Sequence, residues 1–321
     1  MMTGRHREAF YSMLLLLAAL IWGVAFVAQS IGAEHVGPFT FLSLRSWLGA
    51  AALLPLILIR GHAREKETAV SKEAHREKRG VLLTGSLITG FFLFAASAAQ
   101  QIGIAQTTAG KSGFITAMYV VLVPVLSVLA GKRPPRRIWL CVVLSVCGLY
   151  LLCVRDGFRI GRGDLWTLAC AFLFAFQIMF IARYAHRVDA VQLTCLEFVF
   201  EAFFATVCML LWERSTTAEA VRAALPAILY AGIFSSGVGY TLQTLGEREV
   251  SPPVASLAMC MESVFSALAG WLILREALSL RELSGCALMI LSIVVAQLGD
   301  INLQPLFLRF QTIFCGGGEK K

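Results

Sequence analysis

Apolar residues along the chain fall into ten runs of about 20, each long enough to cross a hydrocarbon core about 30 Å thick. The runs cover residues 10–31, 38–59, 80–102, 107–130, 138–154, 164–182, 190–212, 224–245, 251–274 and 281–299. Turn chemistry marks the gaps: Gly37-Pro38, Pro134-Pro135, Gly161-Arg162-Gly163-Asp164 and Ser251-Pro252-Pro253 lie between runs, where proline or glycine starts a helix without interrupting one. Asp164 is expected to cap the sixth helix. The first run follows Arg5 and Arg7 as a secretory signal would, but it is too long for one and lacks a small-x-small cleavage site before the polar turn, so it is expected to stay as the first helix. The pattern predicts an all-α polytopic membrane protein with ten transmembrane helices.

Two stretches repeat one pattern, Thr107 to Leu152 and Ser251 to Leu298. Each has a polar start, a long run, a short charged loop, and then a run with a small-residue turn: Ser145-Val-Cys-Gly148 in one, Leu283-Ser-Gly285-Cys in the other. Five runs separate the copies, and an odd number inverts the second relative to the first, the construction by which secondary transporters build two alternating gates around one site. The expected organisation is a cytoplasmic N-terminus (1–9), a five-helix repeat (10–154), a connecting loop (155–163), an inverted five-helix repeat (164–299) and a cytoplasmic tail (300–321).

Composition agrees with the bilayer as solvent. Of 321 residues 58% are hydrophobic and 15% charged, against about 25% charged in soluble domains. The net charge of +8 sits in loops beside the runs, which points to lipid headgroups and topology and away from nucleic acid. With the N-terminus cytoplasmic, 19 Lys or Arg lie inside and 7 outside, a bias from which both termini are expected on the cytoplasmic side of the cell membrane. The segment 60–79, with alternating Arg, Lys and Glu, is expected to be a solvated loop, a surface helix laced by charge pairs being the alternative. The tail carries Leu306, Phe307, Leu308, Phe310, Ile313 and Phe314 and could lie along the inner interface. Nine cysteines show no Cys-x-x-Cys pair and no His in metal spacing, so they read as small packing residues and no metal site or cofactor is expected.

Beyond the first two residues of each run, five residues would normally carry charge: Arg45, Lys111, Glu197, Glu201 and Glu262. Such residues are costly in lipid and mark function first. Glu201 and Glu262 lie about 15 Å from the cytoplasmic ends of their helices, near the midplane. Glu197 stands one turn from Glu201 on the same face, and two carboxylates at that spacing repel, so one is expected to hold a proton near neutral pH. The alternative for each is a protonated glutamate bonded to a neighbouring helix, or, for Glu197, solvation from the cytoplasmic surface. Arg45 is too deep to stand unpaired, and Glu262 or Glu201 is its expected partner, either as a structural ion pair or as a clamp that also takes a substrate carboxylate. Lys111, one turn from the outer end of its helix, is expected to snorkel to water, with a part in an outer gate as the alternative. Gln29, Gln100, Gln177, Tyr119 and Tyr240 either line a cavity or bond between helices.

Other patterns mislead. Ala105-Gln-Thr-Thr-Ala-Gly110-Lys111-Ser112 fits a relaxed phosphate-loop pattern, but it joins two membrane runs and follows no buried strand. His-Glu-x-x-His, Gly-x-Ser-x-Gly and paired aspartates are absent, so no enzyme site is recognised.

Several motifs together resemble the drug/metabolite transporter superfamily and, within it, the EamA-type permeases. They are Trp22-Gly23, Leu44-Arg45, Thr107-Thr108-Ala109-Gly110-Lys111 and Gly163-Asp164-Leu165. Further along come Val250-Ser251-Pro252, Met261-Glu262-Ser263-Val264-Phe265 and Leu274-Arg275-Glu276. The resemblance covers nearly the whole chain. It implies a ten-helix carrier, an efflux or uptake permease for small metabolites, often amino acids or related amines. The family usually has proline after the ninth-span glutamate, where this chain has Ser263, so a straighter ninth helix is expected. Glu197 and Glu201 stand where relatives more often carry neutral residues.

The reading is therefore a secondary transporter of small polar or amphipathic metabolites, possible proton coupling included, with a midplane site around Glu262, Glu201 and Arg45. The rivals are a lipid or lipid-linked-sugar flippase on the same fold and an integral-membrane enzyme. The scatter of the five charges in depth and over four helices favours a pathway over a catalytic cluster.

Overall fold

A computed structural model describes residues 4–64, 72–107, 109–153, 160–213, 216–274 and 279–298, and shows helices and no strand among them. Seven passes are continuous: α1 (Gly4–His35), α2 (Pro38–Arg64), α3 (Lys72–Ile104), α6 (Arg136–Cys153), α7 (Arg162–Tyr184), α8 (Ala190–Trp212) and α13 (Leu280–Leu298). The fourth pass is α4 (Ala109–Thr116) followed by α5 (Tyr119–Leu129), and the ninth is α11 (Pro252–Met259) followed by α12 (Glu262–Leu274). The eighth runs through α9 (Ala218–Leu229), a π-helical segment (Tyr230–Gly239) and α10 (Tyr240–Glu247). Nine of these stretches are long and apolar enough to cross a membrane among the described residues, and α13 is a tenth helix of 19 residues.

The helix ends follow from local chemistry. Pro38 and Pro252 open α2 and α11, where a missing N–H costs nothing. The Asp189 side chain accepts from the N–H groups of Val191 and Gln192 at 3.1 and 3.2 Å to start α8. Glu213, just past the end of α8, accepts from the N–H groups of Phe39 and Thr40 at 3.0 and 2.7 Å. It thereby caps α2 and ties the seventh pass to the second. The α5 terminus closes through Gly131, whose φ of 78° few other residues adopt, while the Lys132 N–H reaches back to Ser127 O at 2.9 Å.

The two halves pack by one inverted scheme. The third pass lies along the sixth as the eighth lies along the first, and the second packs on the seventh across the middle. The fifth and tenth passes, α6 and α13, pair at the far side of the bundle. There the two small-residue turns of the repeat meet: a Cβ on Gly148 would stand 2.7 Å from Gly285 O, and one on Gly285 would stand 2.6 Å from Gly148 O. Without lipid-to-protein hydrophobic gain, such close backbone approach supplies the packing. Ser145 Oγ and Ser292 Oγ add a hydrogen bond at 2.6 Å. Large side chains such as Leu58, Trp212 and Leu272 face outward, while many Ala and Ser residues are buried in the interior beside larger ones such as Phe41 and Phe198.

Four expectations need correction. Helix α3 begins at Lys72 and α2 runs to Arg64, so much of the 60–79 segment is helical, the alternating charges extending both helices beyond the apolar runs. Asp164 is not the cap of α7. It is the third helical residue, and its Oδ2 accepts from the Gly161 N–H at 2.6 Å while Oδ1 accepts from Thr107 at 2.8 Å. The ninth pass is not straightened by Ser263, because it breaks at Cys260-Met261 without a proline. The eighth pass is not a plain α-helix but holds ten π-helical residues. Residues 154–159, Arg275, Glu276 and the 299–321 tail lie outside the described residues.

Candidate functional site

The two interrupted passes break at the same place in their repeats. At Ala117-Met118 the backbone tightens to i→i+3 bonds, Met118 N to Ile115 O at 3.1 Å and Val120 N to Ala117 O at 3.0 Å. At Cys260-Met261 the same happens, Met261 N to Ala258 O and Ser263 N to Cys260 O, both at 3.3 Å. Tyr119 is the first residue of α5 and Glu262 the first of α12. They meet: Tyr119 Oη donates to Glu262 Oε1 at 3.1 Å, both side chains being buried. Half-helices that end inside a membrane bring unsatisfied backbone groups and side chains to one central point, which is how carriers build a binding site.

Around this contact lies a cavity of about 500 Å³, counting its solvent-open part. Trp22, Phe26, Phe174, Tyr119 and Tyr240 supply its aromatic walls. The Trp22 and Tyr240 rings stand 4.8 Å apart, and Tyr240 is held edge-on by Phe198 at 5.2 Å. Gly23 explains why Trp22 and Glu262 share a site. A Cβ at Gly23 would lie 2.7 Å from Phe265 Cβ and 2.8 Å from Ser266 N, so glycine lets α12 seat directly on α1.

Arg45 lines the cavity too. Its partner is Glu201: Nη2 stands 3.5 Å from Glu201 Oε1 and donates to Ser97 Oγ at 3.0 Å. The ion pair is longer than the roughly 2.7–2.9 Å of a charge-assisted hydrogen bond, and Arg45 Nε has no partner, so the guanidinium retains unused donors. Ser46 Oγ donates to the other oxygen of Glu201 at 2.9 Å. Gly232 lets α2 lie close on the π-helical segment, for a Cβ there would meet Arg45 O at 2.9 Å. Insertion of an extra residue into a helical turn is a frequent device at functional sites.

Of the remaining sequence candidates, Gln100 donates to Thr116 Oγ1 at 3.4 Å and faces the cavity with Gln29. Gln177 also lines it and donates to Glu197 Oε1 at 3.0 Å. Glu197 is fully buried, away from solvent. Lys111 sits in α4, its side chain outside the described residues. The sequence reading missed Gln243, which lines the cavity, and Glu247, which is fully buried at the end of α10. Their i, i+4 spacing, which stacks both on one helix face, was the available signal. The described cysteines are free, and no cluster of metal-ligating side chains occurs among the described residues.

Chemically, the cavity offers a carboxylate and a guanidinium with spare donors between walls that carry five aromatic rings. Residues 9–154 and 161–297 each match the EamA-like transporter family, one copy per half of the bundle. The chain belongs to the EamA-like transporter family. It is 27% identical over 289 residues to an uncharacterized transporter of Archaeoglobus fulgidus, covering 88% of this chain and 84% of that protein. It is 23% identical to the uncharacterized transporter YoaV of Bacillus subtilis over 85% of this chain and 92% of that one. A solved structure, titled only as a crystal structure of a protein, superposes with a TM-score of 0.75 at 20% identity, over 92% of this chain and 99% of the other. That likeness shows the fold. Family and relatives together make this a multi-pass membrane transporter.

Proposed function

We propose that this member is a secondary carrier that moves small amine-bearing metabolites, amino acids among them, across the cell membrane by alternating access, with both termini cytoplasmic. The observation that carries the reading is the contact of the two repeat-related helix breaks through Tyr119 and Glu262 at a cavity between the halves. Inversion of one half against the other exchanges the two faces of the bundle around that fixed point. Glu262 accepts one hydrogen bond and shares its cavity with four further aromatic side chains, a setting that attracts an ammonium by charge and by the ring faces. Arg45, with donors left over from Glu201 and Ser97, suits the carboxylate end of a zwitterion.

The test uses purified protein in lipid vesicles loaded with an aqueous metabolite extract of the producing cells. Mass spectrometry of the exterior should find a set of amine-bearing metabolites released by the wild type and retained with Glu262→Gln. Release no faster than from protein-free vesicles would overturn the carrier reading. Redistribution of lipid or lipid-linked sugar between leaflets, with no release of soluble metabolites, would make the protein a flippase.

A further inference from the structure

Six carboxylates are buried among the described residues; Asp164 and Glu282 belong to the first turns of α7 and α13, which leaves Glu197, Glu201, Glu247 and Glu262, and Arg45 is the one buried cation among the described side chains. Arg45 pairs with Glu201, and Glu262 has Tyr119 and the cavity. Glu197 and Glu247 are left without a cation, and two amides link them. Gln243 Nε2 donates to Glu247 Oε1 at 2.7 Å and to Gln177 Oε1 at 3.3 Å, and Gln177 Nε2 donates to Glu197 Oε1 at 3.0 Å. Three side-chain atoms of these four linked residues have no hydrogen-bond partner: Glu247 Oε2, Gln243 Oε1 and Glu197 Oε2. All three are acceptors, and buried acceptors without donors are costly. The shortage is of hydrogens.

One proton meets it. The Gln243 amide already gives an N–H to one oxygen of Glu247, while its carbonyl and the second Glu247 oxygen lack a donor. A proton on Glu247 Oε2 turns the carboxylate into an acid that can donate to Gln243 Oε1, completing a reciprocal acid–amide pair and removing a buried charge. Three free oxygens fall short of the six or so that a hard metal cation takes, so a proton is the occupant that fits.

We infer that Glu247 is a proton-binding site distinct from the substrate cavity, and that Gln243 and Gln177, which line the cavity, transmit its occupancy to the substrate. Glu247 closes α10, and two residues later Glu249 pairs with Arg7 at the membrane face where α1 begins. A group that re-bonds Gln243 changes the cavity wall, and by linkage substrate and proton then alter each other's affinity by the same factor. Among titratable groups on elements packed against α10, Glu197 of α8 acts on Glu247. Helix α11 has none, Tyr230 and Tyr240 border the π-helical segment, and Arg7, Glu8 and Tyr11 lie in the first turns of α1. On α7 the charged groups Arg162, Asp164 and Arg183 lie at the ends.

The coupling half of this inference rests on the carrier reading; proton binding does not, and its test needs no substrate. The full chain in lipid vesicles is stepped across about pH 5 to 9 while infrared difference spectroscopy follows the C=O stretch of protonated carboxyl groups. Glu247→Gln should remove one group's amplitude, Gln243→Leu should move that band to the frequency of a more weakly bonded acid, and Glu247→Asp should keep a titrating band. Amplitude unchanged in Glu247→Gln, or a band that answers to sodium chloride at constant pH, overturns the assignment. In extract-loaded vesicles, Glu247→Gln should abolish the dependence of release on an imposed pH gradient and keep gradient-free release; retained gradient dependence overturns the coupling. Absence of release from wild type would refute the carrier reading and leave the infrared result to decide the proton site.

Discussion

Removing the Arg45 guanidinium tests how the buried charges hold the two halves together. Arg45 is 3% exposed and Glu201 fully buried. At their separation of 3.5 Å an effective dielectric of about 20 gives an attraction on the order of 5 kcal/mol, before the cost of desolvating both groups. Arg45→Met strips Glu201 of that counter-charge and leaves it neutral hydrogen-bond donors such as Ser46, so folding should weaken by about 3–5 kcal/mol, as when one partner of a buried pair is deleted. Arg45→Met with Glu201→Gln removes both charges, and most of that loss should return, for a coupling of about 2 kcal/mol or more. Denaturation midpoints in mixed micelles, read by tryptophan fluorescence and helix content, supply the cycle. A double variant as unstable as Arg45→Met alone would refute the argument, because the cost would then lie in lost packing and not in an orphaned charge.

Three further outcomes follow from other contacts. Gly148→Leu should destabilise the α6–α13 pair by about 1–3 kcal/mol, since its side chain meets the Gly285 backbone, measured by the same denaturation. Tyr119→Phe removes the hydrogen bond to Glu262 and should leave the fold intact while slowing metabolite release about tenfold or more, the worth of a hydrogen bond to a charged group. Single cysteines in a cysteine-free background should be protected from impermeant reagents at 60–79 and 131–137 in intact cells and reactive at 155–163; outside labelling of 60–79 would reverse the topology.

The membrane runs were legible because hydropathy is a property of the chain alone and the bilayer leaves few alternatives. The repeat was legible for the same reason, as five apolar runs cannot return the chain to its starting face. The helix breaks were not. Ala117-Met118 and Cys260-Met261 contain neither glycine nor proline, so nothing local announces them, and the packing of two repeats against each other decides where the backbone gives way. Arg45 was recognised as needing a carboxylate, but Glu201 and Glu262 are at similar depth, and only the packing of α2 on α8 selects Glu201. Glu247 is not legible as a buried group because it follows the last apolar turn of its run and reads as a loop residue. Its burial comes from α1, α8 and α7 closing around α10, a tertiary fact.

The central claim is that one cavity, at the junction of the two breaks, opens to each face of the membrane in turn. A single cysteine at Thr116, which lines the cavity, tests it directly in right-side-out and inside-out vesicles treated with an impermeant thiol reagent. Alternating access predicts labelling in both preparations, with the rate from each side shifted in opposite directions by conditions that favour one orientation. Labelling from one face only, under every condition, would contradict it.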